Sequence, residues 1–180
     1  MPARQAVRFG VEQEFSLLFI VMLGGRHPAA KIEVHDVVFA GGENLNAVYP
    51  QLRQQWFGSA QGMHIDCWME VHGVDQYQVT FSDQAPAPGE PRLFFINLGG
   101  YLPGLFGEEH RYLLVVAPDK ISAKQIGKTR LEPAWQKPHT DNLWDLDDCI
   151  PIDNVDGRYI RLQPGPHSGI CQFADYIILS

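Results

Sequence analysis

Two stretches of this chain carry one phrase. Residues 23–35 read LGGRHPAAKIEVH and residues 98–110 read LGGYLPGLFGEEH. Both are L-G-G-x-x-P-x4-E-x-H, and they lie 75 positions apart. Whatever the chain folds into must be buildable twice. Aligning residues 19–66 with residues 94–141 needs no gap, and ten positions are identical: Phe19, Leu23, Gly24, Gly25, Pro28, Glu33, His35, Gln61, His64 and Asp66. Average residue usage would give roughly three. Farther on, Val74-Asp75 reappears as Val155-Asp156 after a six-residue insertion. The segment between the copies, SDQAPAPGEPR, has linker composition. The division expected is a first unit at 15–82, a linker at 83–91, a second unit at 92–164, and a C-terminal segment at 165–180 that packs on the units.

The repeat also interprets the apolar run LLFIVML at 17–23. It is too short to span a bilayer. Its counterpart RLFFINL at 92–98 lies mid-chain, where no signal peptide acts, so both read as buried strands. The formal net charge of −7 is shared between the halves, with no basic face for phosphate or anionic lipid. Nucleic acid and membrane are therefore not expected partners. The three cysteines, Cys67, Cys149 and Cys171, form no C-x-x-C pair. They read as reduced thiols of a cytoplasmic protein rather than a disulfide frame.

Each copy has one coarse order. Strands at 17–23 and 33–40 flank the Gly-Gly loop. A helix beginning near Asn46 follows, which keeps Pro50 in its first turn and lets Gly58 end it. Strands at 65–71 and 77–81 complete the copy. In the second copy, strands at 93–98 and 110–117 precede a helix with Ser122 and Gln125 as a capping box and Ile121 and Ile126 as a staple. Strands at 143–152 and 158–162 follow. The fold expected is α+β: two tandem β-β-α-β-β units with pseudo-two-fold character, each a helix on a mixed four-stranded sheet, like the β-grasp roll.

The phrases LGGRHPAAKIEVHDVVF, MHIDCWMEV and LGGYLPGLFGEEH resemble a bacterial domain-of-unknown-function family whose members carry one or two copies of such a domain. The resemblance covers roughly residues 17–162. It implies no activity, substrate or catalytic residue.

Chemistry is expected at the repeated polar positions. Four of the seven histidines recur, each with an acid two residues away: Glu33–His35, His64–Asp66, Glu108–His110 and His139–Asp141. Residues two apart in a strand share a face. The leading reading is structural, with each carboxylate orienting an imidazole that ties down a loop. A divalent Zn, Mn or Fe site is the alternative, with a metal-dependent hydrolase as its functional form. Acid–base chemistry at His64 or His139 is the third reading. Simple alternation puts Glu33 and His35 in a core-facing row with Val37 and Phe39. It puts His64 and Asp66 on the opposite side of their strand from Ile65, Cys67, Met69 and Val71, which argues against convergence of the two pairs. Gly24, Gly25, Gly99 and Gly100 are candidate binding loops, most simply turns needing positive φ. The expectation is a binding or structural module for a small molecule or a protein, without a cofactor, and the residues leave open whether it catalyses anything. The sequence does not fix its oligomeric state.

Overall fold

The computed structural model describes residues 17–102, 104–130 and 144–179. The first half runs β1 (Leu17–Gly25), β2 (Val34–Gly42), α1 (Leu45–Gln55), β3 (His64–Val71), the two-residue β4 (Gly73–Val74) and β5 (Tyr77–Ser82). The second runs β6 (Arg92–Gly100), β7 (Glu109–Ala117), α2 (Lys120–Thr129), β8 (Trp144–Pro151), β9 (Asn154–Val155) and β10 (Arg158–Pro164). A last strand, β11 (Ile170–Ile178), follows. The molecule is α+β. No helix among the described residues is long and apolar enough to cross a membrane.

The strands do not form the mixed sheets of a β-grasp roll. Every ladder among the described residues is antiparallel. In the first half β1 lies between β2 and β3, and the C-terminal strand β11 adds to the outer edge of β3. In the second half β6 lies between β7 and β8. The last hairpin of each half leaves its own sheet, and the two hairpins pair in a shared sheet ordered β4-β5-β10-β9. A tight turn at Asp75 or Asp156, each in the left-handed region (φ 58° and 51°), closes each hairpin. In the shared ladder Val79 faces Leu162 and Phe81 faces Ile160.

β1 is buried on both faces, which accounts for its unbroken apolar run. Phe19, Val21 and Leu23 pack under α1 with Val48 and Leu52. Leu18 and Ile20 point the other way, into a central core with Leu93 and Phe95 of β6 and Val79 and Ile160 of the shared sheet. On the far side Phe94, Ile96 and Leu98 pack under α2 with Ala123. The layers are thus helix, sheet, shared core, sheet, helix. Full burial of one such side chain stabilises by about 1.5–3 kcal/mol, so each central strand contributes heavily on both its faces.

Three local expectations need correction. α1 starts at Leu45, capped by the Asn44 side chain accepting from the Ala47 amide at 3.1 Å, so Pro50 lies in the second turn. It ends at Gln55, before Gly58, with the Trp56 amide donating to Leu52 O. α2 is capped by Asp119, whose carboxylate accepts from the Ser122 amide at 2.8 Å; Ile121 is 73% exposed and staples nothing. Asp119 is as good a cap as Ser122 and lies three residues nearer the preceding strand, so it starts the helix earlier and leaves Ser122 inside it.

Candidate functional site

The Gly-Gly pairs are not loops. Gly24 and Gly25 end β1, Gly99 and Gly100 end β6, and all four are buried without positive φ. What they supply is space. In register, Gly24 lies between His35 of β2 and His64 of β3. A Cβ on Gly24 would stand 2.5 Å from His64 Nε2, 2.7 Å from Asp66 Oδ2 and 3.2 Å from His35 Cδ2. Three side chains from the flanking strands close over a bare backbone. Gly25 does the same for Trp56, whose ring would lie 2.9 Å from an added Cβ.

The two pairs therefore converge, against the alternation argument. The physical reason is a β-bulge. The β1–β3 ladder steps from Cys67 opposite Met22 to Ile65 opposite Leu23 and skips Asp66. A bulge reverses the alternation beyond it, so Ile65 packs under α1 whereas Val71 enters the central core. It also re-aims the Asp66 carboxylate over Gly24.

The contacts form a string. Glu33 Oε1 lies 3.0 Å from His64 Nε2, which lies 3.4 Å from Asp66 Oδ1, and Asp66 Oδ2 lies 3.2 Å from His35 Nε2. The His64 side chain is only 3% exposed, whereas those of Glu33 and His35 are 43% and 49% exposed. These two stand at the open end of β2 rather than in a buried row. His64 Nδ1 lies 2.8 Å from Gly62 O. A carbonyl only accepts, so this bond assigns the proton to Nδ1. Tyr176 of β11 lies over the ring at 4.3 Å between centroids, with its hydroxyl 3.2 Å from Nδ1. In the neutral ring the Nε2 lone pair then faces carboxylate oxygens, which also accept. Among the described residues, His64 Nε2 and Asp66 Oδ2 are buried with no hydrogen-bond partner.

The second half repeats the plan with one change. Gly99 faces His110 on one side and Asp145 on the other. The β6–β8 ladder skips Asp147 at the equivalent bulge. Glu108, His110 and Asp147 offer ligand atoms that all lie within 4.8 Å of one another. His110 Nδ1 is 3.0 Å from Asn97 Oδ1 and 3.5 Å from Asp147 Oδ2. The register thus places Asp145 where His64 stands and Asp147 where Asp66 stands. Asp145 turns outward to Lys128 Nζ at 2.9 Å, and this contact holds its carboxyl below the usual range. His139 and Asp141, the counterparts expected from the ungapped alignment, lie outside the described residues. The six-residue insertion already precedes β8, and the displaced Val155-Asp156 was the signal that allows this placement.

Both groups border one cleft. An open space of about 510 Å³ lies between the sheets, with His35, Asp36 and Val37 on one wall and Asn97, His110, Tyr112 and Asp148 on the other. Phe95, stacked on Tyr112 at 5.5 Å, forms its inner end. Asp148 Oδ2 accepts from Asn97 Nδ2 at 3.0 Å. Burial, with Cys67 nearby, pushes the Tyr112 hydroxyl up, and burial followed by Asp66 pushes the Cys67 thiol up, so both stay neutral near pH 7. A larger depression of about 630 Å³ borders Asp75 and Arg130. Those charges already pair with each other at 2.7 Å, and none of the described members of the repeated His–acid pairs lines it.

No curated protein matches this chain. A protein-family model for a Domain of Unknown Function (DUF1543) matches residues 30–81, the stretch holding Glu33, His35, His64 and Asp66. A crystal structure of the protein Il1583 from Idiomarina loihiensis is similar with a TM-score of 0.67 and 32% identity, over 91% of this chain and 98% of that one. Neither description names an activity. With its β2–β5 segment matched by that model and a relative this similar over nearly its whole length, the chain belongs to the DUF1543 domain-of-unknown-function family.

Proposed function

We propose that this protein is a small-molecule binding module whose ligand sits in the cleft between the two sheets. The observation that carries this is the cleft itself: its walls bring one recurring histidine from each half, His35 and His110, to one space of about 510 Å³. That volume suits a small ligand. The lining also defines a chemical class. Asp36 and Asp148 are carboxylates, and none of the described residues that line the space is Lys or Arg. Phe95 and Tyr112 offer apolar ring surface. A small cation bearing a flat apolar group fits this lining better than an anion of the same shape.

We further propose that the halves are duplicated β-β-α-β-β units related by a pseudo-two-fold axis. The shared ladder supports this. Under the displacement that carries Val74-Asp75 onto Val155-Asp156, the pair Val79–Leu162 maps onto the pair Ile160–Phe81. A self-matching pair of this kind is the mark of an isologous contact. Equivalent bulges at Asp66 and Asp147 support the same relation. On this reading the carboxylate–imidazole contacts chiefly hold the cleft's two rims in shape.

Titrating isotope-labelled protein with phenethylamine, and separately with 3-phenylpropionate as an anion of the same shape, tests the cleft. Shifts concentrated at Val37, Asn97 and Tyr112 for the amine alone, weakened at least threefold by Asp148→Asn, are expected. Scattered shifts, or equal response to both compounds, would remove the assignment.

A further inference from the structure

We propose that Glu33, His35, His64 and Asp66 form a binding site for one divalent transition-metal ion of the zinc class. The proposal rests on these side chains alone and stands whether or not the cleft takes a ligand.

The first ground is the orphaned lone pair. His64 Nδ1–H donates to Gly62 O at 2.8 Å, which in the neutral ring leaves Nε2 as an acceptor. Around that buried nitrogen stand two carboxylates, at 3.0 and 3.4 Å, which are acceptors too. Acceptors facing acceptors in a buried place repel unless something positive lies between them. A metal-bound histidine ordinarily donates its other ring nitrogen to a carbonyl or carboxylate, which fixes tautomer and ring, and His64 is held in that way. Tyr176 against its ring further restricts it.

The second ground is spacing. Four ligands at zinc distances in a tetrahedral arrangement stand about 3.3–3.6 Å from one another. The successive contacts Glu33–His64, His64–Asp66 and Asp66–His35 are 3.0, 3.4 and 3.2 Å. As it stands the string is open, and it would close onto one ion by side-chain rotation at its two ends. Glu33 and His35 are half-exposed and have rotamers to spare, whereas His64 is buried and fixed.

The donor set selects the ion. Two imidazoles with two carboxylates suit zinc and its neighbours, and suit calcium or magnesium poorly. The group in the second half is more compact as it stands, its ligand atoms all within 4.8 Å of one another, but it is the weaker donor set. It has one imidazole, its side chains are all about one-third exposed, and Asp145 has replaced the buried histidine and turned to Lys128.

The test is zinc competition against a chromogenic chelator at pH 7, on tag-free full-length protein stripped of metal. One tight equivalent and a raised Tm are expected. Cobalt in place of zinc should give the intense visible bands of a four-coordinate ion. His35→Asn and Glu33→Gln, at half-exposed positions that leave the core intact, should each weaken zinc at least tenfold. His64→Asn should abolish uptake, and because His64 is buried, its fold is checked by circular dichroism. Absence of uptake would overturn the proposal and leave a proton on His64 Nε2 as what joins the carboxylates. Uptake that survives His35→Asn and Glu33→Gln but is lost in His110→Asn would overturn it as well, by moving the ion to the second half.

Discussion

Gly24 shows how one missing side chain builds a site. Its backbone lies under His64, Asp66 and His35, and a methyl group there would press on a buried imidazole held from both sides by Gly62 O and Tyr176. Gly99 occupies the matching place, but an added methyl would meet Asp147 and Glu108, whose carboxylates are the far ends of side chains about one-third exposed. The two substitutions should therefore differ. Gly24→Ala is expected to cost about 1–3 kcal/mol by overpacking, and Gly99→Ala clearly less, as read from urea denaturation midpoints at constant slope. Equal costs would mean that the first cluster yields as easily as the second. The recurrence of Gly-Gly and Glu-x-His was legible in the sequence because both lie in the ungapped part of the repeat. Asp147 was not, because the offset that reveals it acts only from β8 onward. Tyr176 was not legible either, since nothing in its local pattern announces a partner more than a hundred residues away.

At the level of elements, strands were easy to read and their alternation was not. The runs at 17–23 and 92–98 declare themselves because a strand buried on both faces has no polar row. β3 misled because a bulge at Asp66 reverses inside and outside within one strand, and no residue type demands a bulge there. The short β4 and β9 escape notice because two residues carry no period. β11 escapes because it is an edge strand with four large apolar side chains exposed, Ile170, Phe173, Tyr176 and Ile178, and so lacks a clean apolar row. The helix starts depend on caps. Asn44 accepts from the Ala47 amide at the start of α1, and that helix carries Val48 and Leu52 onto Phe19 and Val21. Asn44→Ala should destabilise the protein by about 1 kcal/mol, the ordinary value of a lost cap. Chemical denaturation measures this directly. A change below a few tenths would show that the Pro50-containing helix is held by its packing and not by its first turn.

At the level of the molecule, each half has a core under its own helix and the two share a third between their sheets. The sequence suggested two units, each closed by its own helix, because each copy has a helix and a full complement of strands. It could not suggest that the last hairpin of each copy would pair with the other's, since strand partners at such separations leave no local trace. Phe95 makes the consequence measurable. It is 2% exposed and lies in the central core. It meets Phe39 of the first half edge-on at 5.7 Å and stacks on Tyr112 of its own half at 5.5 Å. Truncating it opens a void against both sheets, and Phe→Ala at such a place costs about 3–5 kcal/mol. If the central core makes one cooperative unit, that loss appears everywhere the unit extends. Phe95→Ala should then lower the hydrogen-exchange protection of β1 and β6 amides by the same free energy, although the substitution lies in β6 alone. Native-state exchange, resolved by strand, reads this out. If β6 loses protection while β1 keeps it, the first sheet is stabilised by its own helix and by β11, and the cleft lies between two bodies that open independently.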